Sequence, residues 1–515
     1  MTRVPLGREG QPTEADIYGM HPNSAGPRAL VTGATGYIGG RLIPDLLSKG
    51  YKVRVLVRHP ERLAGKPWGD SVEVAVGDAR DIQVLHSALA DVDVAYFLLH
   101  SLSTDPSFED EEVFVAQNFA NAAAETGVKR IIYLGGIIDP SEDELSPHLR
   151  SRKRVGEVLR SSGIPTIELR AAVILGSGSA SFEMLRYLAE RLPAMTTPKW
   201  VRSRIQPIAV RDVLRYLVEA ASLPPEVSRA FDIGGPDILT YEDMMRRYAR
   251  VAGLPNPIII PVPVLSPGLS SHWVGLITPV PPTIARPLVE SLKHEVVCGE
   301  QDIKEFIPDP PEGLLSFEDA CRNALARIKS ASVATRWSEA SVPYAASDPW
   351  PGDPHWSGGS LYTDKRTALV DASPDEVWGV LQGIGGEHGW YSWPLAWKTR
   401  GLIDRAVGGV GLRRGRKNPD VLTVGDTVDF WRVEESVPLK LLRLRAEMKM
   451  PGVGWLEFSL VPTADGRTVL IQRALFHPRG LAGHAYWGVV LPFHGVVFGQ
   501  MLTRIAEAAK QTNAA

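Results

Sequence analysis

Seven residues constrain this chain more than any others: Gly33-Ala34-Thr35-Gly36-Tyr37-Ile38-Gly39, set between an apolar run and a helical segment closed by Gly50. Glycine triplets are common, but a strand before and a helix after supply the context in which this one has a mechanism. Gly33 permits the tight turn, Gly36 lets backbone approach a pyrophosphate, and Gly39 lets the helix pack closely on the strand. The N–H groups that open the helix then face the phosphates. A glycine-rich turn without a ligand is the alternative.

The surrounding text alternates. Residues 51–58, 72–78, 92–99, 129–136 and 166–176 read as strands, with helical segments such as 113–127 and 152–163 between them. Strands alternating with helices of this length give a parallel sheet covered on both faces, joined by right-handed crossovers. The expected fold is an α/β doubly wound parallel Rossmann sheet over residues 28–330. Its second strand ends at Arg58, where domains that prefer NAD place an acidic residue for the ribose 2′-hydroxyl. An arginine there pairs with a 2′-phosphate, which favours NADP(H) over NAD(H); otherwise it is a solvated side chain. Asp78, after the third strand, faces the adenine edge or caps the next helix. Ala79, Leu99 and Gly135, at the ends of the third, fourth and fifth strands, complete the expected cofactor contacts.

At 515 residues the chain has room for two or three domains, and 44% hydrophobic against 22% charged residues allows packed cores throughout. The 56 basic and 59 acidic side chains leave a net charge of −3, with no basic excess for nucleic acid. Cys298 and Cys321 form no CxxC pattern, so neither a disulfide framework nor a metal site is expected, and a reducing cytoplasm fits. Residues 1–27 read as a flexible tail without the apolar core of a leader. Two stretches carry no charge. The first, 251–285, is interrupted by eight prolines, too many for a spanning helix. The second, 480–503, holds Pro492 and five glycines and reads as a buried or interfacial helix. The chain is expected to be soluble, with peripheral membrane contact left open.

Beyond residue 330 the pattern changes. Residues 331–359, rich in Pro, Gly, Ser and Trp, read as a linker, and 360–511 as a second domain. Strand-like runs follow one another there, and Asp465-Gly466 marks a hairpin. Ser373-Pro374-Asp375-Glu376 opens a capped helix. A closing helix is expected around 492–510, with Val496, Val497, Met501, Leu502 and Ile505 on its apolar side. Trp378, Trp390, Trp393, Trp397, Trp431, Trp455 and Trp487 either line a cavity for a small hydrophobic molecule or fill a core with large side chains. His477, His484 and His494 lack metal-ligand spacing. The basic run 413–417 reads as a solvated loop, or less directly as a contact for an anionic lipid or phosphate.

The motifs VTGATGYIGG, VRVLVR, GDARD and RIIYLGG, continued by LRAAVILG, IQPIAVRDV and FDIGGPDILTYEDM, resemble the extended and atypical short-chain dehydrogenases. The NmrA-like group and the accessory-subunit relatives of respiratory complex I are the nearest in kind, over about residues 28–320. Active members carry a Ser after the fifth strand and a Tyr-x-x-x-Lys pair on the next helix. Here the strand ends Leu134-Gly135-Gly136, His148 stands for the Tyr and Arg152 for the Lys. His148 as proton carrier and Arg152 as ribose holder are the catalytic candidates; a helix-start His and an ion-paired Arg are the alternatives. Residues 360–510 resemble the uncharacterised domain that follows NAD(P)-binding Rossmann domains in bacterial two-domain proteins, read as an α+β helix-grip (START-like) domain. These resemblances imply an NADPH-dependent oxidoreductase for a hydrophobic carbonyl or quinone, or a non-catalytic NADP(H) sensor or scaffold. The oligomeric state stays open.

Overall fold

The computed structural model describes residues 26–63, 66–100, 108–138, 145–197, 199–261, 278, 280–326, 359–385, 389–392 and 421–512. The chain divides into two units, 1–359 and 360–515.

Among the described residues of the first unit, seven strands make a parallel sheet. They are β1 (Arg28–Thr32), β2 (Lys52–Val57), β3 (Glu73–Val76), β4 (Val94–Phe97), β5 (Arg130–Gly136), β6 (Thr166–Ala171) and β7 (Arg229–Ile233). Their order is β7-β6-β5-β4-β1-β2-β3, so successive strands are laid outward in opposite directions from the β1–β4 pair. That divergence opens a crevice at the strands' C-terminal ends. Leu30, at the centre, pairs with Arg54 of β2 on one side and Ala95 of β4 on the other. The central strands are apolar on both faces because helices cover both. One face packs with α1 (Tyr37–Ser48), and the other with α2 (Ile82–Leu89), α3 (Phe108–Thr126) and α4 (Pro147–Arg160).

α3 begins five residues before the expected 113, at an acidic first turn that suits a helix N-terminus. α4 likewise starts at Pro147 rather than 152, because the Ser146 hydroxyl caps it by accepting the Leu149 N–H and Pro147 fits the first turn. A second core lies beside the crevice. It is built by α5 (Ala180–Arg191), α7 (Tyr241–Ala252), α8 (Pro282–Ser291) and α9 (Phe317–Ala326), around Phe182, Leu185, Met244, Tyr248 and Val289, whereas α6 (Val210–Ala220) packs with α1 on the sheet's first face. Wholly buried Arg186 is compensated there by Glu183 at 3.6 Å and Glu190 at 3.3 Å.

The second unit is an antiparallel sheet with helices. β8 (Tyr362–Val370), β9 (Thr427–Val428), β10 (Trp431–Val437), β11 (Leu441–Ala446), β12 (Gly452–Pro462) and β13 (Thr468–Pro478) lie in the order β8-β13-β12-β11-β10-β9. Asp465-Gly466 closes the β12–β13 hairpin, with Gly466 at φ +83°. α10 (Pro374–Gln382) carries a full capping box between Ser373 and Glu376. The closing helix, α11 (Gly480–Thr512), begins twelve residues before the expected start. Pro492 does not end it, since its ring sits on the exposed side. Phe498, Met501, Leu502, Ile505 and Ala509 face the core, while Val496, expected inside, is 50% exposed. α11 is long and apolar enough to cross a membrane, and 28% of its apolar window is buried.

The described tryptophans of this unit pack against its core. Trp390 lies against Phe430 and Trp431 and donates its indole N–H to Asp429, and Trp455 donates to Glu434. Trp487 stacks on Tyr362 and Phe476. Trp393, Trp397 and the basic run 413–417 lie outside the described residues.

Candidate functional site

The glycine loop sits where β1 ends at the crevice. Gly33 has φ +70°, and a Cβ on it would stand 2.5 Å from the Leu98 carbonyl oxygen. At Gly39 a Cβ would lie 2.3 Å from the Gly33 carbonyl oxygen, so the helix packs on the loop with no room for a methyl group. Gly36 is the extended N-cap of α1, and no side chain caps it. The first-turn N–H groups of α1 therefore point into the crevice without an intrahelical acceptor. That cradle fits a pyrophosphate. Ala34 is wholly buried under the loop, so only its backbone can serve; Thr35 is half-buried, and Tyr37 and Ile38 reach the cavity.

Arg58 directly follows β2, its side chain 65% exposed and 4.0 Å from Asp78. Asp78 caps no helix; Asp81 does that for α2 by accepting the Gln83 N–H. Asp78 instead holds Arg80, whose side chain and main-chain N–H both donate to it. Those bonds, helped by Arg58, hold its carboxyl below the usual range. Ala79 is buried behind the loop, and Leu99 lies half-buried past the end of β4.

Farther along the crevice a cavity of about 280 Å³ brings Tyr37, Ile38, Gly135, His148 and Arg152 together. Ile137, Val173, Met184, Leu288 and Val296 give it an apolar wall. His148 and Arg152 share it because four residues on α4 make about one turn. Arg152 donates to the Leu134 carbonyl at the end of β5, and its own carbonyl accepts from the Tyr133 hydroxyl. Burial, with His100 and Arg152 nearby, pushes His148 well below the ordinary imidazole range, so it is neutral at physiological pH.

Sequence reading missed His100. It follows β4, and its ring centroid lies 4.7 Å from that of His148. Burial brings it down to about 4, against the opposing pull of Glu112. A single histidine after an apolar strand gives no local signal; only the adjacency of β4 and β5 joins it to a residue 48 positions on. The later motifs hold structure: buried Asp212 accepts the Leu315 N–H, and Asp237 accepts the Phe317 N–H.

Comparison with known proteins follows this division. Residues 27–257 match the NmrA-like family, and residues 356–501 a family of unknown function, DUF2867. A Streptomyces griseus protein named (4-alkanoyl-5-oxo-2,5-dihydrofuran-3-yl)methyl phosphate reductase is 29% identical over 273 residues, 52% of this chain and 86% of that one. Ceramide reductase of Caulobacter vibrioides is 28% identical over 48% of this chain and 78% of that protein. An uncharacterized Mycobacterium tuberculosis protein is 28% identical, with only 24% of its length spanned. Among solved structures, the triphenylmethane reductase of Citrobacter sp. complexed with NADP(H) is similar at a TM-score of 0.47 and 20% identity, over 58% of this chain and all of that one.

Proposed function

We propose, on the premise that the N-terminal unit is an NmrA-like, NAD(P)-binding Rossmann domain, that this chain is an NAD(P)H-dependent reductase of a hydrophobic carbonyl or quinone-like compound. The observation that carries this reading is the cavity, which joins the end of the glycine loop to His148 along an apolar wall. Residues 33–39 would hold the pyrophosphate, Arg58 a 2′-phosphate, and Gly135 and Arg152 the nicotinamide end. Bound nicotinamide supplies hydride. The protein's part is to bury an apolar substrate against Ile137, Val173 and Met184 and to present a neutral imidazole N–H to its carbonyl oxygen. A neutral imidazole polarises a carbonyl by donating a hydrogen bond. The relatives named for alkanoyl and ceramide substrates support an apolar body.

For the second unit the reading is a START-type helix grip. The antiparallel sheet packed on one long helix supports it.

A second reading, a cofactor-retaining sensor, has its own observation: Arg152 stands where a Lys is expected, and its guanidinium is committed to the Leu134 carbonyl. Calorimetric titration with NADPH, then NADPH oxidation with quinones, long-chain ketones and acetone, separates the two. Turnover confined to the apolar acceptors is expected. Tight binding without oxidation by any acceptor would favour the sensor, and no NADPH binding would overturn both.

A further inference from the structure

Four consecutive acids open α3, and each has a distinct partner. Glu109 takes Arg150 through two hydrogen bonds, Asp110 takes Arg154, and Glu111 takes Arg80. Glu112 turns the other way, inward. One carboxylate oxygen lies 3.3 Å from the His100 Nδ1, and the other accepts from the hydroxyl of Ser151, which is wholly buried on α4. The His100 and Glu112 side chains are only 19% and 13% exposed. A carboxylate this withdrawn from water is stabilised by such donors. Next to His100 stands the His148 ring, tilted 52° at 4.7 Å, and both rings border the cavity.

A neutral imidazole that gives up its N–H proton becomes an imidazolate unless its other nitrogen is reprotonated at once. His148 therefore needs a proton source behind it. We propose that Glu112 and His100 form a proton line to His148, with His100 the positioning residue that sets the tautomer of His148 and resupplies its proton. The proposal rests on the cavity being a reductive site. When hydride reaches the carbonyl carbon, the carbonyl oxygen takes the proton from one ring nitrogen of His148. The other nitrogen recovers one from His100, and His100 recovers one from solvent along Glu112. The net change is one hydride from the reduced nicotinamide and one proton from water; each imidazole ends as its other neutral tautomer, and proton exchange with water resets both rings before the next turnover. The charged neighbour of both rings is Arg152, which disfavours a standing imidazolium at either position and keeps the line neutral between turnovers.

The test needs no substrate. Protein labelled with ¹⁵N-histidine is compared with Glu112→Gln and His100→Gln, and the His148 resonances are identified by their loss in His148→Gln. In the unmodified protein His148 should show a single neutral tautomer that persists through mildly acidic pH. Both line variants should convert it to a mixture of tautomers, and His100→Gln should also move its titration upward towards the ordinary value. If His100→Gln misfolds, Glu112→Gln, which keeps the side chain's size, decides alone. Unchanged His148 tautomer and titration would overturn the line. Calorimetry with NADPH on the same samples, expected to be unaltered by Glu112→Gln, keeps this outcome distinct from a failure of the nucleotide reading, in which the unmodified protein would not bind.

Discussion

Arg58→Asp tests cofactor choice most directly. The arginine side chain is 65% exposed, and its nearest carboxylate, Asp78, is 4.0 Å away and already holds Arg80 at 2.7 Å. An exposed pair of that kind contributes about 0–1 kcal/mol, so little restrains the arm. A charge-assisted hydrogen bond to a 2′-phosphate is worth about 1.5–3 kcal/mol. Release from Asp78 and solvent screening leave about 1–2 kcal/mol, or NADPH binding roughly five- to thirtyfold tighter than NADH. The Asp variant loses that contact and sets a like charge beside the phosphate, adding about 1 kcal/mol at high dielectric. NADPH affinity should therefore fall roughly thirtyfold to a hundred-and-fiftyfold, while NADH, lacking the phosphate, should change less than about threefold. Isothermal titration calorimetry at about 0.1 M salt measures both, and the preference should shrink as the screening length falls below about 10 Å. Equal affinities in the unmodified protein, or an equal loss of both cofactors in the variant, would refute the reasoning.

Gly39→Ala should abolish nucleotide binding in the same assay, because its Cβ would meet the Gly33 carbonyl oxygen at 2.3 Å; a variant that binds normally would show that the loop yields. Glu168 is 1% exposed between Arg160 at 2.8 Å and Arg170 at 2.9 Å. Glu168→Ala strands both cations and should cost about 3 kcal/mol in chemical denaturation, towards the low end for a broken buried pair because both arginines keep some water. His494, held at about 4 by burial despite Asp364, refuses protons that the unfolded chain accepts below about pH 6.5. Its contribution to stability is complete above that pH and is lost as pH falls towards 4. The thermal midpoint of the second unit should therefore drop less on acidification in His494→Asn than in the unmodified protein, and parallel pH curves would count against this.

Much of the first unit was legible because its determinants are local. Glycines at fixed spacing, apolar strands buried on both faces and crossover helices announce a doubly wound sheet without reference to distant contacts. The capping box at Ser373 and the hairpin at Asp465-Gly466 were readable for the same reason. Helix starts were harder. The acidic turn at 109–112 and the Ser146-Pro147 pair were signals present in the sequence, but apolar periodicity sets in later and pulled both boundaries inward. The start of α11 was placed late as well, at Pro492, although a proline on the outer side of a long helix leaves the freed carbonyl open to water. The partnership of His100 with His148 was illegible, because it depends on which strands become neighbours. His148 and Arg152 were found only because a turn of helix fixes their spacing.

The ionic row along α3 has a consequence for how the cavity answers its surroundings. Arg150 and Arg154 tie α4, which carries His148, to α3, which carries Glu112, through partners on the solvent side. Arg154 and Asp110 are 41% and 81% exposed, so dissolved ions compete directly for them. The carboxylate that holds the His100 ring and the helix that carries His148 are thus registered against each other by a fastening that salt can slacken. Ionic strength becomes a remote adjustment of their spacing, acting on a site that the ions themselves never enter.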